Sequence, residues 1–281
     1  MGFGVNWNDD GTKIYEGNLK NHQFEGQGIS YFVSCNKVKY SGSFLNNCFE
    51  GSGTVYYKNG HKQYFGDFKE HMFHGEGTEF RETGTKKFCG SWLKNEKHGQ
   101  GIKFDKKERI RYEGAWANGK RDGSGIFFDK TGGKEYEGAW KTGKPWGEGS
   151  YFYENGAPMY QGEWVKGQYE GHGVQFYENG NKEYDGEWKK NLRNGQGKSY
   201  YPDGSLEGES WWEVGVEVQE FARKIMIPGD DVLSQSGSDD METFNQADFL
   251  GVKQLAKRAL KRPSLILYRP SKRIIAENPA N

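Results

Sequence analysis

The stretch YEGAW at residues 112–116, followed by GSG at residues 123–125, decides the fold of this chain. Every second residue of the first stretch is aromatic or glycine, namely Tyr112, Gly114 and Trp116. A period of two places these three residues on one face of a β-strand and the residues between them on the other face. The stretch therefore predicts a strand rather than a helix.

The same pattern recurs along most of the chain. The aromatic-x-Gly motif starts at residues 15, 40, 64, 88, 112, 136, 160 and 184, with one spacing of 25 residues and six of 24. Four residues after each start lies a large apolar side chain: Leu19, Phe44, Phe68, Trp92, Trp116, Trp140, Trp164 or Trp188. A fixed period of this length is typical of repeat architectures, in which a unit is stable only when it is stacked on its neighbours.

Each unit also contains a Gly-x-Gly pair. In the fourth to seventh units the pairs are Gly99 with Gly101, Gly123 with Gly125, Gly147 with Gly149, and Gly171 with Gly173. A glycine within a strand costs stability unless a bulky neighbour occupies the space of its missing side chain. We therefore assign these glycines a structural role and expect aromatic rings to lie over both members of each pair.

Turn signals separate the two strands of each unit. The dipeptide Asn118-Gly119 is of the type that most strongly indicates a β-hairpin, and Gly132 marks the turn that leads to the next unit. The sequence therefore predicts an all-β fold, an elongated single-layer antiparallel β-hairpin solenoid. A C-terminal charged, partly helical extension is expected to follow it.

Composition excludes several classes of protein. The 281 residues include 39 Lys and Arg and 39 Asp and Glu, and this neutral balance argues against a nucleic-acid binder. The 18 Phe, 17 Tyr and 9 Trp can form an aromatic core. Three cysteines without metal-type spacing predict reduced thiols in a cytoplasmic protein. Neither a secretory signal nor an apolar stretch long enough to span a membrane is expected.

The repeat boundaries suggest five parts. Residues 1–14 are predicted to form an N-terminal half repeat, and residues 15–207 form the eight repeats. Residues 208–224 are expected to cap the last sheet edge, because the glycine pair is lost there. An acidic flexible linker at residues 225–247 and a basic amphipathic helix with an extended tail at residues 248–281 complete the chain.

The two tail segments carry opposite charges. Residues 225–252 contain six acids and no Lys or Arg, whereas residues 253–273 contain eight bases and no acids. Apolar residues recur at helical spacing before Pro263, which predicts the basic amphipathic helix. This helix could pack on the repeats, dock on an acidic partner or bind an anionic membrane. Its candidate partner-binding residues are Lys253, Lys257, Arg258, Lys261 and Arg262.

YEGAW at 112–116, GSG at 123–125 and YQGEW at 160–164 resemble the MORN repeat (membrane occupation and recognition nexus). The resemblance covers about residues 15–207, with a partial unit before them. Within the family the chain is most similar to the soluble ciliary and cytoskeletal members, such as radial spoke head proteins. The resemblance implies a β-hairpin solenoid that acts in assembly or attachment and has no catalysis of its own.

Catalytic and metal-binding patterns do not stand out. No Ser-His-Asp or Cys-His grouping is evident, and His71 and His74 lack a third ligand nearby. We therefore expect a non-enzymatic scaffold or adaptor without a cofactor or metal. Its proposed setting is a ciliary axoneme, of the radial spoke type, or another cytoskeletal complex in the cytoplasm.

The expected partners are other proteins of that complex, and homo-oligomerisation stays open. Aromatic anchors in a groove are the candidate binding residues, because such side chains dominate many interfaces. The candidates are Trp92, Trp116, Trp140, Trp164 and Trp188. The alternative hypothesis is a peripheral membrane module that binds anionic phospholipids through the basic tail. No nucleic-acid partner is expected.

Overall fold

A computed structural model describes residues 2–218 of the chain. The predicted acidic linker and the basic tail, with Lys253, Lys257, Arg258, Lys261 and Arg262, lie outside the described residues. The strands are β1 (Gly2–Trp7), β2 (Lys13–Lys20), β3 (Gln23–Tyr31), β4 (Val38–Leu45), β5 (Cys48–Tyr56), β6 (Lys62–Lys69), β7 (Met72–Phe80), β8 (Lys86–Leu93), β9 (Glu96–Phe104), β10 (Ile110–Ala117), β11 (Lys120–Phe128), β12 (Lys134–Lys141), β13 (Lys144–Phe152), β14 (Pro158–Val165), β15 (Gln168–Phe176), β16 (Lys182–Lys189), β17 (Leu192–Tyr200), β18 (Leu206–Glu213) and β19 (Val216–Glu217).

Each strand pairs antiparallel with the strand that follows it in the chain. The described residues therefore form one open sheet of 19 strands, and the predicted all-β array of hairpins is confirmed. The register brings glycines together across strands, because Gly114 of β10 lies opposite Gly101 of β9 and Gly125 of β11. Register shifts recur in every unit, as between Gly114 and Trp116, and such bulges increase local twist.

The turns have the backbone that the sequence predicts. Asn118 and Gly119, between β10 and β11, have φ values of 50° and 72°. Two successive positive φ values define the type I′ turn, which matches the twist of a two-residue hairpin. Gly132, in the turn between β11 and β12, has a φ of 101°.

Side chains in the hairpin turns tie successive units together. The Asn95 Oδ1 accepts a hydrogen bond from the Phe73 backbone N–H at 2.8 Å, and Asn47 and Asn191 make the equivalent contact in their own units. In the third unit His71 replaces the asparagine, and its Nδ1 accepts from the Phe49 N–H at 3.2 Å. The imidazole must be neutral at Nδ1 to accept this bond. Burial lowers the pKa of His71, and the charge of Lys39 lowers it further.

The core is a row of buried aromatic rings on one face of the sheet, which we call the aromatic face. It contains the first residue of every unit: Tyr15, Tyr40, Tyr64, Phe88, Tyr112, Tyr136, Tyr160 and Tyr184. Tyr112 contacts the ring of Trp116 in its own unit at 5.2 Å and that of Trp140 in the next unit at 5.5 Å, both edge to face. Edge-to-face packing is a favoured geometry of aromatic pairs. The rings therefore couple each unit to the next.

The second glycine of each pair lies beneath a tyrosine or phenylalanine ring. A Cβ added at Gly125 would overlap the Tyr112 ring, and one at Gly149 would overlap the Tyr136 ring. The Tyr112 hydroxyl donates to the Ala115 carbonyl at 3.0 Å, which holds the ring flat on the backbone. Burial raises the pKa of Tyr112 to about 12, so the hydroxyl keeps its proton at neutral pH.

The first glycine of each pair has a different role from the one expected. Gly147 has a φ of 72°, and a Cβ added there would meet the Ala139 Cβ at 3.6 Å, an ordinary contact. Gly123, with a φ of 101°, also faces an alanine, Ala115, and meets no ring. The expectation of rings over both members of a pair therefore does not hold for the first member. A left-handed backbone conformation, not ring packing, requires glycine there.

The five tryptophans complete the core. Each indole Nε1–H donates to the carbonyl of the second glycine in the preceding unit, as Trp116 does to Gly101 at 3.0 Å. The other bonds join Trp92 to Gly77, Trp140 to Gly125, Trp164 to Gly149, and Trp188 to Gly173. The indoles thus fill space and satisfy a backbone acceptor at once.

We expect Trp116→Phe to lower the free energy of unfolding by about 1 to 3 kcal/mol, because it removes the bond to Gly101 and part of the packed area. Phenylalanine occupies this position in the second and third units, so the ring itself is compatible with the fold. Trp7→Phe is the matched control, because Trp7 is 58% exposed. Urea denaturation measures both, and equal costs for the two variants would contradict the packing account.

The two glycines of one pair should respond differently to substitution. Gly147→Ala should lower the free energy of unfolding by about 1 to 2 kcal/mol, because alanine is strained at the positive φ of this residue. Gly147→Asn should lower it less, because asparagine tolerates that conformation. Gly149→Ala should cost about 1 to 3 kcal/mol through overpacking against Tyr136, and Gly149→Asn should cost more still. Thermal unfolding of the four variants measures these costs. If Gly149→Asn were less destabilising than Gly149→Ala, ring packing would not be the reason for glycine at position 149.

His71 should make the array sensitive to mild acid. Because the folded-state pKa lies below the ordinary value for histidine, its contribution to stability is fully present above that ordinary value and is lost as pH falls through the lowered pKa. Asn at this position, as at Asn47 and Asn95, does not titrate. Wild type should therefore lose more stability than His71→Asn between pH 7.5 and pH 5, measured by urea midpoints. Equal losses would show that the neutral imidazole is not needed.

Candidate functional site

The five candidate tryptophan anchors lie in the core of the sheet. Their exposed fractions are 5% for Trp92, Trp140 and Trp164, and 6% for Trp116 and Trp188. The indoles pack against neighbouring aromatic rings, as Trp116 does against Phe88 and Tyr112, and they are bonded to backbone carbonyls. The five tryptophans therefore form part of the packed core of the aromatic face. Their direct contact with a partner stays a prediction.

A second layer of side chains lies above the core rings. It is formed by the ninth residue after each core Tyr or Phe, a position that we call the cap position. Its members are Phe24, Phe49, Phe73, Lys97, Arg121, Pro145, Tyr169 and Arg193. Every one of these side chains is half-buried, so the cap position forms the accessible surface over the core.

Aromatic caps stack flat on the tyrosine beneath them. The centroid distances are 3.8 Å for Tyr15 with Phe24, 3.8 Å for Tyr40 with Phe49, 3.8 Å for Tyr64 with Phe73, and 3.6 Å for Tyr160 with Tyr169. Interplanar angles of 3° to 8° make these parallel stacks. Each tyrosine is thus held between a glycine backbone and a cap ring. The first three units consequently present an apolar aromatic surface.

In the fourth and fifth units the caps are cations. Five basic side chains gather on the aromatic face of β8 to β11, and we call them the basic patch: Lys87, Lys97, Lys103, Arg111 and Arg121. Lys97 Nζ lies 5.2 Å from the ring centroid of Phe88, and Arg121 Cζ lies 4.0 Å from that of Trp140. Cation–π attraction therefore replaces ring stacking at these two caps.

The other members of the basic patch belong to the same face. Lys103 lies directly opposite Phe88 on one side and Tyr112 on the other. Arg111 Cζ lies 5.0 Å from the Phe127 ring centroid. One terminal nitrogen of Arg111, Nη1, is buried without a hydrogen-bond partner among the described residues. The basic patch therefore combines aromatic rings with several closely spaced positive charges.

Two carboxylates border the basic patch. Glu79 of β7 lies 2.7 Å from Lys87 Nζ and 3.6 Å from Lys97 Nζ, and Glu135 follows on β12. Burial lowers the pKa of Lys97, and the Glu79 carboxylate opposes that shift. Five bases between two acids leave an excess of positive charge, so the patch suits an anionic ligand.

Past the basic patch the aromatic face becomes mixed in charge. Arg193 caps Tyr184 at 4.6 Å and forms an ion pair of 2.7 Å with Glu183. Burial raises the pKa of Glu183, and Arg193 opposes that shift. Pro145 and Tyr169 separate this pair from the patch. The aromatic face therefore changes from apolar to basic to mixed along one sheet.

The opposite face carries exposed ion pairs. Lys134 lies 2.8 Å from Glu137, and Lys182 lies 2.7 Å from Asp185. Both lysines are nearly half exposed, at 48% and 46% of the side chain. Exposed pairs of this kind contribute about 0 to 1 kcal/mol each. Glu148 and Glu163 also lie on this face, directly opposite each other, so its charge is mixed rather than basic.

The described residues contain neither a metal cluster nor a membrane-spanning helix. Over residues 2–218 no group of three or more His, Cys, Asp and Glu side chains could hold a metal ion. In that same range no helix is long and apolar enough to cross a membrane. Cys35, Cys48 and Cys89 are free thiols.

The cap position and the basic patch are the features that sequence reasoning missed. A signal was present, since the cap residue is aromatic in the first three units and basic in the next two. The position of the cap residue over the core depends on the register shift between Gly114 and Trp116, which brings Arg121 opposite Trp116. The period alone does not reveal that contact.

Comparison with known protein families agrees with this geometry. The MORN repeat model matches eight segments that together cover more than half of the chain: residues 15–34, 40–62, 64–86, 88–104, 112–134, 136–157, 160–182 and 184–206. No curated protein matches the chain. The strand pairing of these segments and the family match lead to one conclusion: the chain belongs to the MORN repeat family.

Proposed function

We propose that the chain is a non-enzymatic scaffold or adaptor that holds other proteins along its aromatic face. The single observation that carries this proposal is the cap position, which presents different chemistry at different points of one continuous sheet. Aromatic caps at Phe24, Phe49 and Phe73 suit apolar side chains, and the basic patch suits acidic ones. Distinct partners can therefore occupy distinct units.

Continuity of the sheet makes such an arrangement effective. Nineteen strands are hydrogen-bonded in chain order, and the core rings couple every unit to the next. Sites on different units are then held at fixed separations of about 10 Å per unit, from two strand spacings. Fixed separation allows one bound segment to raise the local concentration of the next.

The proposed setting is a cytoskeletal assembly in the cytoplasm, of which a ciliary axoneme of the radial spoke type is the more specific form. This part of the proposal is supported by the resemblance to family members found in such assemblies. The proposed partners are other proteins of that assembly, and a second copy of the chain is a further candidate. A peripheral membrane module that binds anionic phospholipids through residues 253–273 remains the alternative.

Affinity purification of the full chain from the cells that produce it tests the scaffold proposal. We expect stoichiometric recovery of a fixed set of cytoskeletal proteins that persists at physiological salt. Lys87→Glu with Lys103→Glu should weaken recovery of at least one of them, because both lysines are exposed members of the basic patch. Lys134→Glu with Lys182→Glu is the matched control on the opposite face, with similar exposure.

Two results would overturn the proposal. One is the absence of any stoichiometric protein together with binding of the purified chain to phosphatidylserine vesicles that is lost at high salt, which favours the membrane alternative. The other is recovery that is unchanged by substitutions on either face. Melting temperatures of the variants serve to confirm that each is folded.

A further inference from the structure

The basic patch has a complementary segment within the same chain. Residues 225–252 contain six acids and no Lys or Arg, and five of the acids lie between Asp231 and Asp248. Met241, Phe244 and Phe249 are interspersed among these acids or directly follow them. A segment that combines carboxylates with apolar side chains matches a surface of cations set among aromatic rings.

We propose that the acidic segment, residues 230–249, docks on the basic patch of its own chain. Its carboxylates would pair with Lys87, Lys97 and Lys103, and with the forked donors of Arg111 and Arg121. Phe244 or Phe249 would pack on the rings beside the cations.

The chain is long enough to make this contact. The described part ends at Val218, next to β19, and the patch occupies β8 to β11. Eight to eleven strand spacings of about 4.8 Å place the patch about 40 to 55 Å from that point. Asp239 lies 21 residues after Val218, and an extended chain of that length spans about 70 Å. Contact from within one molecule is therefore geometrically feasible.

Occupation by the chain's own segment has a consequence for partners. A tethered ligand has an effective concentration of up to about millimolar, so an acidic partner must compete with it for the patch. The acidic segment thus acts as an internal competitor: it prevents weakly binding partners from occupying the basic patch, and tightly binding partners displace it. This inference concerns the purified chain alone, so it holds or fails independently of the proposed function.

Carbodiimide cross-linking of the dilute, purified full chain tests the contact directly. The reagent joins a carboxylate to a lysine amine only when the two are in contact. We expect monomeric products that link Asp239, Asp240 or Glu242 to Lys87, Lys97 or Lys103, and their loss in 1 M salt, where the Debye length is about 3 Å. Links formed only to Lys253, Lys257 or Lys261, or only between two copies, would overturn the proposal.

Charge variants of the full chain provide the matched control. Lys87→Glu with Lys103→Glu should abolish the remaining links to Lys97, whereas Lys134→Glu with Lys182→Glu on the opposite face should leave all links unchanged. Equal loss in both variants would contradict a specific contact. Circular dichroism establishes that both variants keep the sheet.

A binding assay tests the competitor role. The probe is a fluorescein-labelled peptide of ten glutamates, and its affinity is measured by anisotropy at low salt. Replacement of all six acids of residues 230–248 by Asn or Gln should tighten binding by about tenfold or more, because the tethered competitor is removed. Addition of Lys87→Glu and Lys103→Glu should reverse that gain. An affinity unchanged by neutralisation of the segment would show that the patch is not covered.

Discussion

A tyrosine ring pressed flat on a glycine backbone is the contact on which the rest of this structure depends. Tyr112 lies over Gly125, and its hydroxyl is fixed by the Ala115 carbonyl. This placement leaves the two edges of the ring for Trp116 and Trp140, so each ring bridges two units. A single-layer sheet has no second layer to bury its apolar face, and the rings supply that cover themselves.

The same contact divides the positions of each unit into those that the fold restricts and those that can vary to bind a partner. Positions below the rings are restricted to glycine. Positions beside them hold large apolar side chains, aromatic in every unit except the first, where the residue is Leu19, because large side chains fill the available space. The cap position above the rings is less restricted and accepts Phe49, Lys97, Pro145 or Tyr169. Variation at the cap changes the chemistry of the surface without change to the sheet. This freedom explains how one repeat can carry an apolar, a basic and a mixed surface in succession.

Sequence patterns predict the fold well, because the strands and turns recur with a fixed period that is visible in the sequence. Alternation around Tyr112 and Trp116 identifies strands, and Asn118-Gly119 identifies the turn. They predict the site poorly, since the cap contact of Arg121 arises from a bulge in register that no periodicity encodes. The sequence pattern assigns the first glycine of each pair to ring packing, because the backbone conformation of that glycine is not visible in the sequence. Spacing alone cannot separate a need for small size from a need for positive φ.

A double-mutant cycle between Tyr112→Ala and Gly125→Ala measures the central contact directly. Gly125→Ala should destabilise the wild-type chain because its methyl group overlaps the Tyr112 ring. Removal of the ring should abolish most of that cost, which gives a coupling free energy of about 1 to 3 kcal/mol in urea denaturation. A coupling indistinguishable from zero would contradict the account, because the ring would then not be what requires glycine at this position.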